Sequence, residues 1–400
     1  MLSASRAYLL QEFVVSLAFA LAFTVQAVYL IQELGLSPLQ LVLVGTVLEA
    51  ACFLLEIPTG VIADVYGRRR SVLLGYSFLG LSFLVVVLGG TFVAVLLAQV
   101  VAALGYTCLS GAHSAWITDE VGEERVGALF VRGAQFGRMG GLVGLGLAAL
   151  WGSASLVGPL IGGGALLLLL AAVLVFVMPE TKFVPGPREH GAWRAMADTF
   201  AEGVRTVRTR SVLLALVLAA VLYGASTEAV DRLWQLHLLR SFELPDLLGL
   251  EPVAWFSVLG AVGMLLGLVV TEAVRARLET SDVPRLSRQL AVLGMLSALG
   301  LLVFALAGAW WLALAAFLAL GVLRGLYEPL YHAWLNQGLE SRVRATVLSI
   351  ASQADALGQM GGGPGVGALG NVFGVRSALG VSALLKLPVL VVLAWGARRV

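Results

Sequence analysis

The stretch Gly60-Val61-Ile62-Ala63-Asp64-Val65-Tyr66-Gly67-Arg68-Arg69-Arg70 lies between two long apolar runs and is one of the few places where charge is dense. An acid, a glycine and three consecutive arginines fit a tight loop at a membrane surface. Glycine permits the positive φ or close backbone approach that such a turn needs. The arginines fix the side of the membrane on which the loop lies.

The flanks decide the class. Of 400 residues, 59% are hydrophobic and 12% charged, where a soluble chain carries about 25% charged residues. With a mean hydropathy of +0.94, the chain reads as a polytopic membrane protein. Its 47 glycines and 12 prolines do not argue for disorder, because both are enriched in transmembrane helices. Cys52 and Cys108 lie inside apolar runs, which predicts buried free thiols rather than a disulfide or a metal site. Arg6 precedes an apolar run reaching to about Ile31. That run is too long for a signal-peptide core and lacks an A-x-A site, so it predicts a retained first helix.

About 20 apolar residues cross the hydrocarbon, and the sequence predicts twelve such helices. Six lie near 8–31, 39–62, 71–89, 92–117, 127–151 and 156–178; six more near 211–237, 252–274, 288–308, 310–335, 345–370 and 375–397. Short alternating β segments are not seen, so the fold class is an all-α membrane protein. Lys and Arg between helices gather on the side shared by both termini, including Arg68–Arg70, Arg125, Lys182, Arg188, Arg275, Arg342 and Arg398. Arg240 and Arg376 fall on the other side. The positive-inside rule makes both termini cytoplasmic.

The chain divides at a polar connector. Residues 1–183 form an N-terminal six-helix bundle, 184–210 a cytoplasmic linker and 211–400 a C-terminal six-helix bundle. The part of the connector from Ala192 to Val207 reads either as an amphipathic surface helix or as a solvated linker. The halves echo each other. Ala115-Trp116 answers Ala333-Trp334, and Arg125-Val126 answers Arg342-Val343, as in transporters built from two parallel repeats.

With Gly60, Asp64, Gly67, Arg68 and Arg69 in the loop between helices two and three, the chain resembles a major facilitator superfamily transporter. The family pattern there is G-x-x-x-D-x-x-G-R-[RK]-x. The matching loop of the second half, with Gly267, Glu272, Arg275 and Arg277, only approximates it. The resemblance implies two pseudo-symmetric six-helix bundles, alternating access, and a cytoplasmic latch. In that latch Asp64 pairs with arginines or with the start of the eleventh helix. Bacterial twelve-helix proton-coupled drug exporters are the nearest kin implied, with two departures. Gln99 stands where those exporters commonly carry an arginine. The letters Gly158-Pro159-Leu160-Ile161-Gly162-Gly163 fall at the start of helix six rather than in helix five. In helix five, Gly140, Gly141, Gly144 and Gly146 form the stripe that allows close helix approach.

Ionisable residues inside a membrane are costly and usually face the bundle interior. Helices three, six and nine carry none, and helix twelve only Lys386; in the superfamily fold these four are peripheral. In helix two, Glu49 and Glu56 share a face. An acid in an apolar site is poised to exchange protons near neutrality. The alternative is a fixed ion pair with Arg132 or Arg138. We take proton handling first for Glu49 and a structural role for Glu56.

In helix ten, Arg324, Glu328 and His332 form a ladder along one face. Asp355 lies halfway along helix eleven. Arg324, Glu328 and Asp355 form either a switchable charge cluster or a permanent clamp. In helix seven, Glu228 and Arg232 are an i,i+4 pair with Asp231 between them, leaving one acid over. Gln26, Gln99, Tyr223, Tyr327 and Tyr331 are candidate cavity residues, the tyrosines suited to stacking on a cationic ligand. Trp234 and Trp334 read as interfacial anchors.

The expected protein is a monomeric secondary transporter in a bacterial-type inner membrane. It takes a small-molecule substrate, with protons as coupling ion and lipid as surroundings. The first reading is export of small amphipathic compounds in exchange for protons; the second is uptake of a nutrient by symport. A P-loop, a nucleophile–base pair and a metal-ligand cluster are missing from the sequence. No enzyme activity, cofactor or nucleic-acid partner is therefore expected.

Overall fold

The structure, a computed structural model, describes residues 2–183, 201–245, 251–274, 278, 282–337, 339 and 341–397. The connector reading for 192–200 and the positions of Arg275 and Arg277 lie outside the described residues. So does the side chain of Asp64. Residues 201–209 are helical.

Thirteen α-helices of defined bounds follow in order among the described residues: α1 Ala4–Val28, continued by a π-helical turn Tyr29–Glu33, α2 Pro38–Tyr66, α3 Arg68–Gly89, α4 Phe92–Leu109, α5 Ala112–Val121, α6 Glu123–Gly152 and α7 Val157–Val177; then α8 Ser211–Ser241, α9 Pro252–Val274, α10 Val283–Leu306, α11 Trp310–Asn336, α12 Ser341–Phe373 and α13 Val375–Ala397. No strand occurs among the described residues. Counting α4 and α5 as one pass gives the twelve passes that hydropathy predicts. Ten of these are long and apolar enough to cross a membrane by composition alone. The other two are α6, whose first turn carries Glu123 and Glu124, and α12, with Pro364 inside it. Each has 30 residues or more, about 45 Å of helix at 1.5 Å per residue.

Local sequence sets the breaks. Ser3 caps α1, its Oγ accepting from the Arg6 amide at 3.4 Å. Gly111, at φ +71°, separates α4 from α5. Gly67, at φ +111°, turns α2 into α3. A non-glycine residue is strained there by about 1–3 kcal/mol, and an added Cβ would stand 3.1 Å from Glu180 Oε2. Gly67→Ala is therefore expected to lower stability by about that amount, read as a thermal shift of the purified protein.

The chain forms two compact units. The first is Met1–Leu36, Val47–Arg188 and Asp246–Ala261; the second is Ser37–Thr46, Glu189–Pro245 and Val262–Val400. Helix α2 therefore contributes to both. Its first residues join the second unit, where the Leu39 amide donates to Asn371 Oδ1 at 3.0 Å.

Within each unit one helix pair is sewn by glycine. In the first unit, a Cβ on Gly140 would come 2.1 Å from Phe13 O, and one on Gly144 would come 2.4 Å from Leu17 O. Gly133 and Gly137 extend this seam toward Tyr8 and Ser16, whereas Gly146 has open space. In the second unit, a Cβ on Gly358 would come 1.9 Å from Val221 O, and one on Gly224 would come 2.1 Å from Asp355 O. The fifth pass of each half, α6 and α12, thus lies directly on the first pass of that half, α1 and α8. Small residues permit this backbone-to-backbone packing.

The matched tryptophans are both cores of their units. Trp116 and Trp334 are fully buried, and the Trp116 indole donates to Pro179 O at 2.6 Å. The expectation of an interfacial anchor at Trp334 is corrected: it packs with Leu213, Leu216, Leu330 and Leu335 in the apolar core of the second unit.

Candidate substrate and coupling site

In the second unit the glycine seam holds Asp355 on α12 against the segment of α8 that carries Tyr223. These residues and α11 enclose a cavity of about 170 Å³, lined by Ala219, Tyr223, Arg324, Tyr327, Glu328, Tyr331, His332, Ser352 and Asp355 among others. Its aromatic wall is ordered. Tyr223 and Tyr327 stack at 5.3 Å with 3° between ring planes, and Tyr327 and Tyr331 at 6.2 Å with 10°. The Tyr331 hydroxyl donates to Leu216 O at 2.9 Å, fixing that ring.

The charges are distributed unevenly. Arg324 donates to both oxygens of Asp231, at 2.7 and 2.9 Å, and to Glu328 Oε1 at 3.0 Å. Two carboxylates thus share one guanidinium, whose fork suits such contacts. Asp355 is not part of this pairing: its carboxylate accepts from the Gln359 amide at 2.7 Å. Glu228, buried to within 2% of its side-chain surface, is held by Arg232 at 3.0 Å. The acid left over on helix seven is therefore Asp231, and its partner is 93 residues away on α11.

A family model of the Major Facilitator Superfamily matches residues 8–280. The chain belongs to that superfamily. This transporter is 24% identical over 358 residues to YxaM of Bacillus subtilis (strain 168), described as an uncharacterized MFS-type transporter, with 87% of this chain and 85% of that protein covered. Its fold is similar to that of the nucleoside transporter NupG, with a TM-score of 0.77, 12% identity and coverage of 98% and 99%. A POT family transporter in complex with 5-aminolevulinic acid gives a TM-score of 0.77, 13% identity and coverage of 98% and 96%. A bacterial homolog of the human lysosomal transporter Spinster, in an inward-facing and unoccupied conformation, gives 0.74, 16%, and 99% and 96%.

Other expected residues of the transporter are placed elsewhere. Gln26 and Gln99 are buried in the first unit and do not join this cavity. Glu56 accepts from Ser110 Oγ at 2.6 Å, where α4 gives way to α5. Glu49 is half-buried on α2. The expected charge partners Arg132 and Arg138 are exposed, and neither forms an ion pair among the described residues. They follow the glycine-bearing face of α6 out of register, so the face that packs on α1 is apolar and small. Of the loop motif, Arg68 pairs with Asp119, and the Arg69 amide donates to Glu180 Oε1 at 2.7 Å. Both partners belong to the first unit.

The sequence marks Lys386 as the one charge of a helix expected to be peripheral, but not its place beside this cavity. Lys386 is only 8% exposed, and its Nζ lies 4.7 Å from the centre of the Tyr223 ring. The last helix is thus not peripheral at this position. Its ammonium packs on the tyrosine stack, a cation–π contact that strengthens when dry. A lone lysine in the middle of an apolar run was the available signal.

Proposed function

We propose that this transporter exports small amphipathic compounds in exchange for protons, by alternating access between two six-helix halves, residues 1–183 and 211–400. It works as a monomer in a bacterial-type inner membrane with both termini cytoplasmic. The observation that supports the reading is the cavity beneath Tyr223, Tyr327 and Tyr331. An ordered aromatic wall meets Asp355 and Glu328, so an aromatic or cationic group has both a face to stack on and a charge to pair with. At about 170 Å³ the cavity is smaller than the roughly 300–1,000 Å³ that encloses a drug-sized ligand, which suits one ring or one charged head. Of the acids lining the cavity, Asp355 is bonded to a neutral amide rather than to a guanidinium, which suits it to change protonation. Uptake by symport is the second reading, favoured by Arg324 in the same wall, which suits an anionic group.

Proteoliposomes with an imposed proton gradient separate the two. Export predicts substrate movement against the proton flow, symport movement with it. In the same assay Asp355→Asn is expected to abolish gradient-driven transport while leaving exchange of substrate across the membrane. Full gradient-driven activity in that variant overturns the assignment.

A further inference from the structure

The first unit contains a second cluster of titratable groups, and among the described residues it lacks a permanent cation to neutralise it. Glu12 lies two turns into α1 and His113 in the first turn of α5. His113 Nδ1 stands 3.9 Å from Glu12 Oε1, too long for a hydrogen bond and short enough that a rotamer change closes it. The Tyr8 hydroxyl lies beside the Glu12 carboxylate, and the Tyr8 ring stacks on His113 at 5.2 Å. Trp116 covers the imidazole, with ring centres 6.3 Å apart. Tyr76 of α3 meets it edge-on at 6.5 Å, while its hydroxyl donates to Gln11 Oε1 at 3.3 Å. Helix α6 brings Gly133 and Gly137 to this place, against Tyr8 and against Ser16 and Glu12, and Phe130, whose ring meets that of Tyr8 edge-on at 6.0 Å. His113 Nε2 is buried and has no hydrogen-bond partner among the described residues.

The contrast with the other unit is chemical. There Glu228, Asp231 and Glu328 are each held by a guanidinium, which stays charged at any physiological pH. Among the described residues, Tyr8 and His113 stand beside Glu12, with Ser16 close by and Tyr76 against the imidazole. Of the charged groups on α3 and α5, Arg68 and Asp119 are paired with each other; Arg132 and Arg138 on α6 are exposed. A carboxylate in a membrane with no cation beside it is costly. Among the described residues, the neighbour able to answer its charge is an imidazole, whose ordinary titration range is centred near pH 6.5.

We propose that Glu12 and His113, packed by Tyr8, form a proton-binding site of the N-terminal half. One proton from water binds between Oε1 and Nδ1 and closes the present gap to a hydrogen bond. Loss of that proton to water reopens it, so no other reactant is needed. The site rests on the proton-coupled reading only for its use, not for its existence. It would place one titrating group in each half, Glu12–His113 in the first and Asp355 in the second.

The test needs no substrate. Infrared difference spectra of the purified protein in liposomes, taken between acid and alkaline buffer, report protonation of individual carboxyl groups. A titrating carboxyl band is expected in the wild type. A component of it should be absent in Glu12→Gln while the rest, Asp355 included, remains; that component should be retained in Glu12→Asp and displaced in midpoint by about 1 pH unit in His113→Asn. An unchanged band in Glu12→Gln, or an unmoved midpoint in a folded His113→Asn protein, overturns the proposal. If Glu12→Gln does not fold, the His113→Asn midpoint decides alone. Transport in the same liposomes that ignores the proton gradient, with the band intact, defeats the exporter reading and leaves the site standing.

Discussion

Gly358→Leu is expected to leave no folded transporter in the membrane, because the position has no room for any side chain. Even a methyl group there would come 1.9 Å from Val221 O and 2.7 Å from Val221 C, and both are backbone atoms that cannot rotate away. Helices α8 and α12 would have to part along the seam that also seats Gly224 under Asp355 and Gly362 against Ala225. Overpacking by a methyl group alone costs about 1–3 kcal/mol, so Gly358→Ala should fold with reduced thermal stability. Leucine adds three more carbons to the same clash. Gly361, one turn on and with nothing within 4 Å, supplies the control: Gly361→Ala should behave as the wild type. Size-exclusion profiles and melting curves of the three variants check this. A normal profile for Gly358→Leu would show that the two helices are not in backbone contact. The functional reach of the seam is direct, since it sets Asp355 beside the helix of Tyr223.

The second large effect is expected at the pair Glu228–Arg232. Glu228 keeps only 2% of its side-chain surface, and the space is closed further by Gly45. A Cβ on Gly45 would stand 1.7 Å from Glu228 Oε1 and 2.3 Å from Arg232 Nε. Removing the guanidinium leaves a buried, unpaired carboxylate, which costs about 3–5 kcal/mol when a buried pair is broken from one side. Arg232→Met is therefore expected to melt far below the wild type. Glu228→Gln in the same chain removes the orphaned charge and should restore most of the loss, because a buried pair contributes little beyond what neutral groups supply. A double variant no more stable than Arg232→Met would mean that Arg232 matters for packing rather than for charge.

The fold was open to reading because a bilayer imposes one length on every pass and internal hydrogen bonding on every backbone group. Each apolar run therefore announced a helix, and Gly67 announced the turn between two of them. The glycine stripe of α6 was readable from spacing, although Gly133 and Gly137 belong to it and Gly146 does not. Pairing was less accessible. Glu228 and Arg232 lie one turn apart and could be matched on a helical wheel, but Asp231 and Arg324 meet only because α8 and α11 do. The surroundings of Lys386, Glu12 and His113 were lost for another reason. Lys386 is a single polar residue in an apolar run, and Glu12 and His113 stand beside uncharged Gln11 and Ser114; none of the three has a charged residue three or four positions away, and burial against aromatic rings leaves no trace in the order of residues. Trp334 shows the converse: its polar edge suggested an interface, while the matching burial of Trp116 places it in a core.

The two cysteines have a practical consequence. Cys108 is buried and Cys52 half-buried on α2, both as free thiols, and neither lines the tyrosine cavity of the second unit. A thiol-reactive reporter introduced on an exposed loop would thus meet little competition from native thiols. Spectroscopic distances between chosen labels can be measured in the otherwise unaltered chain, with Cys52→Ser as the one background variant needed to verify that the signal comes from the introduced sites.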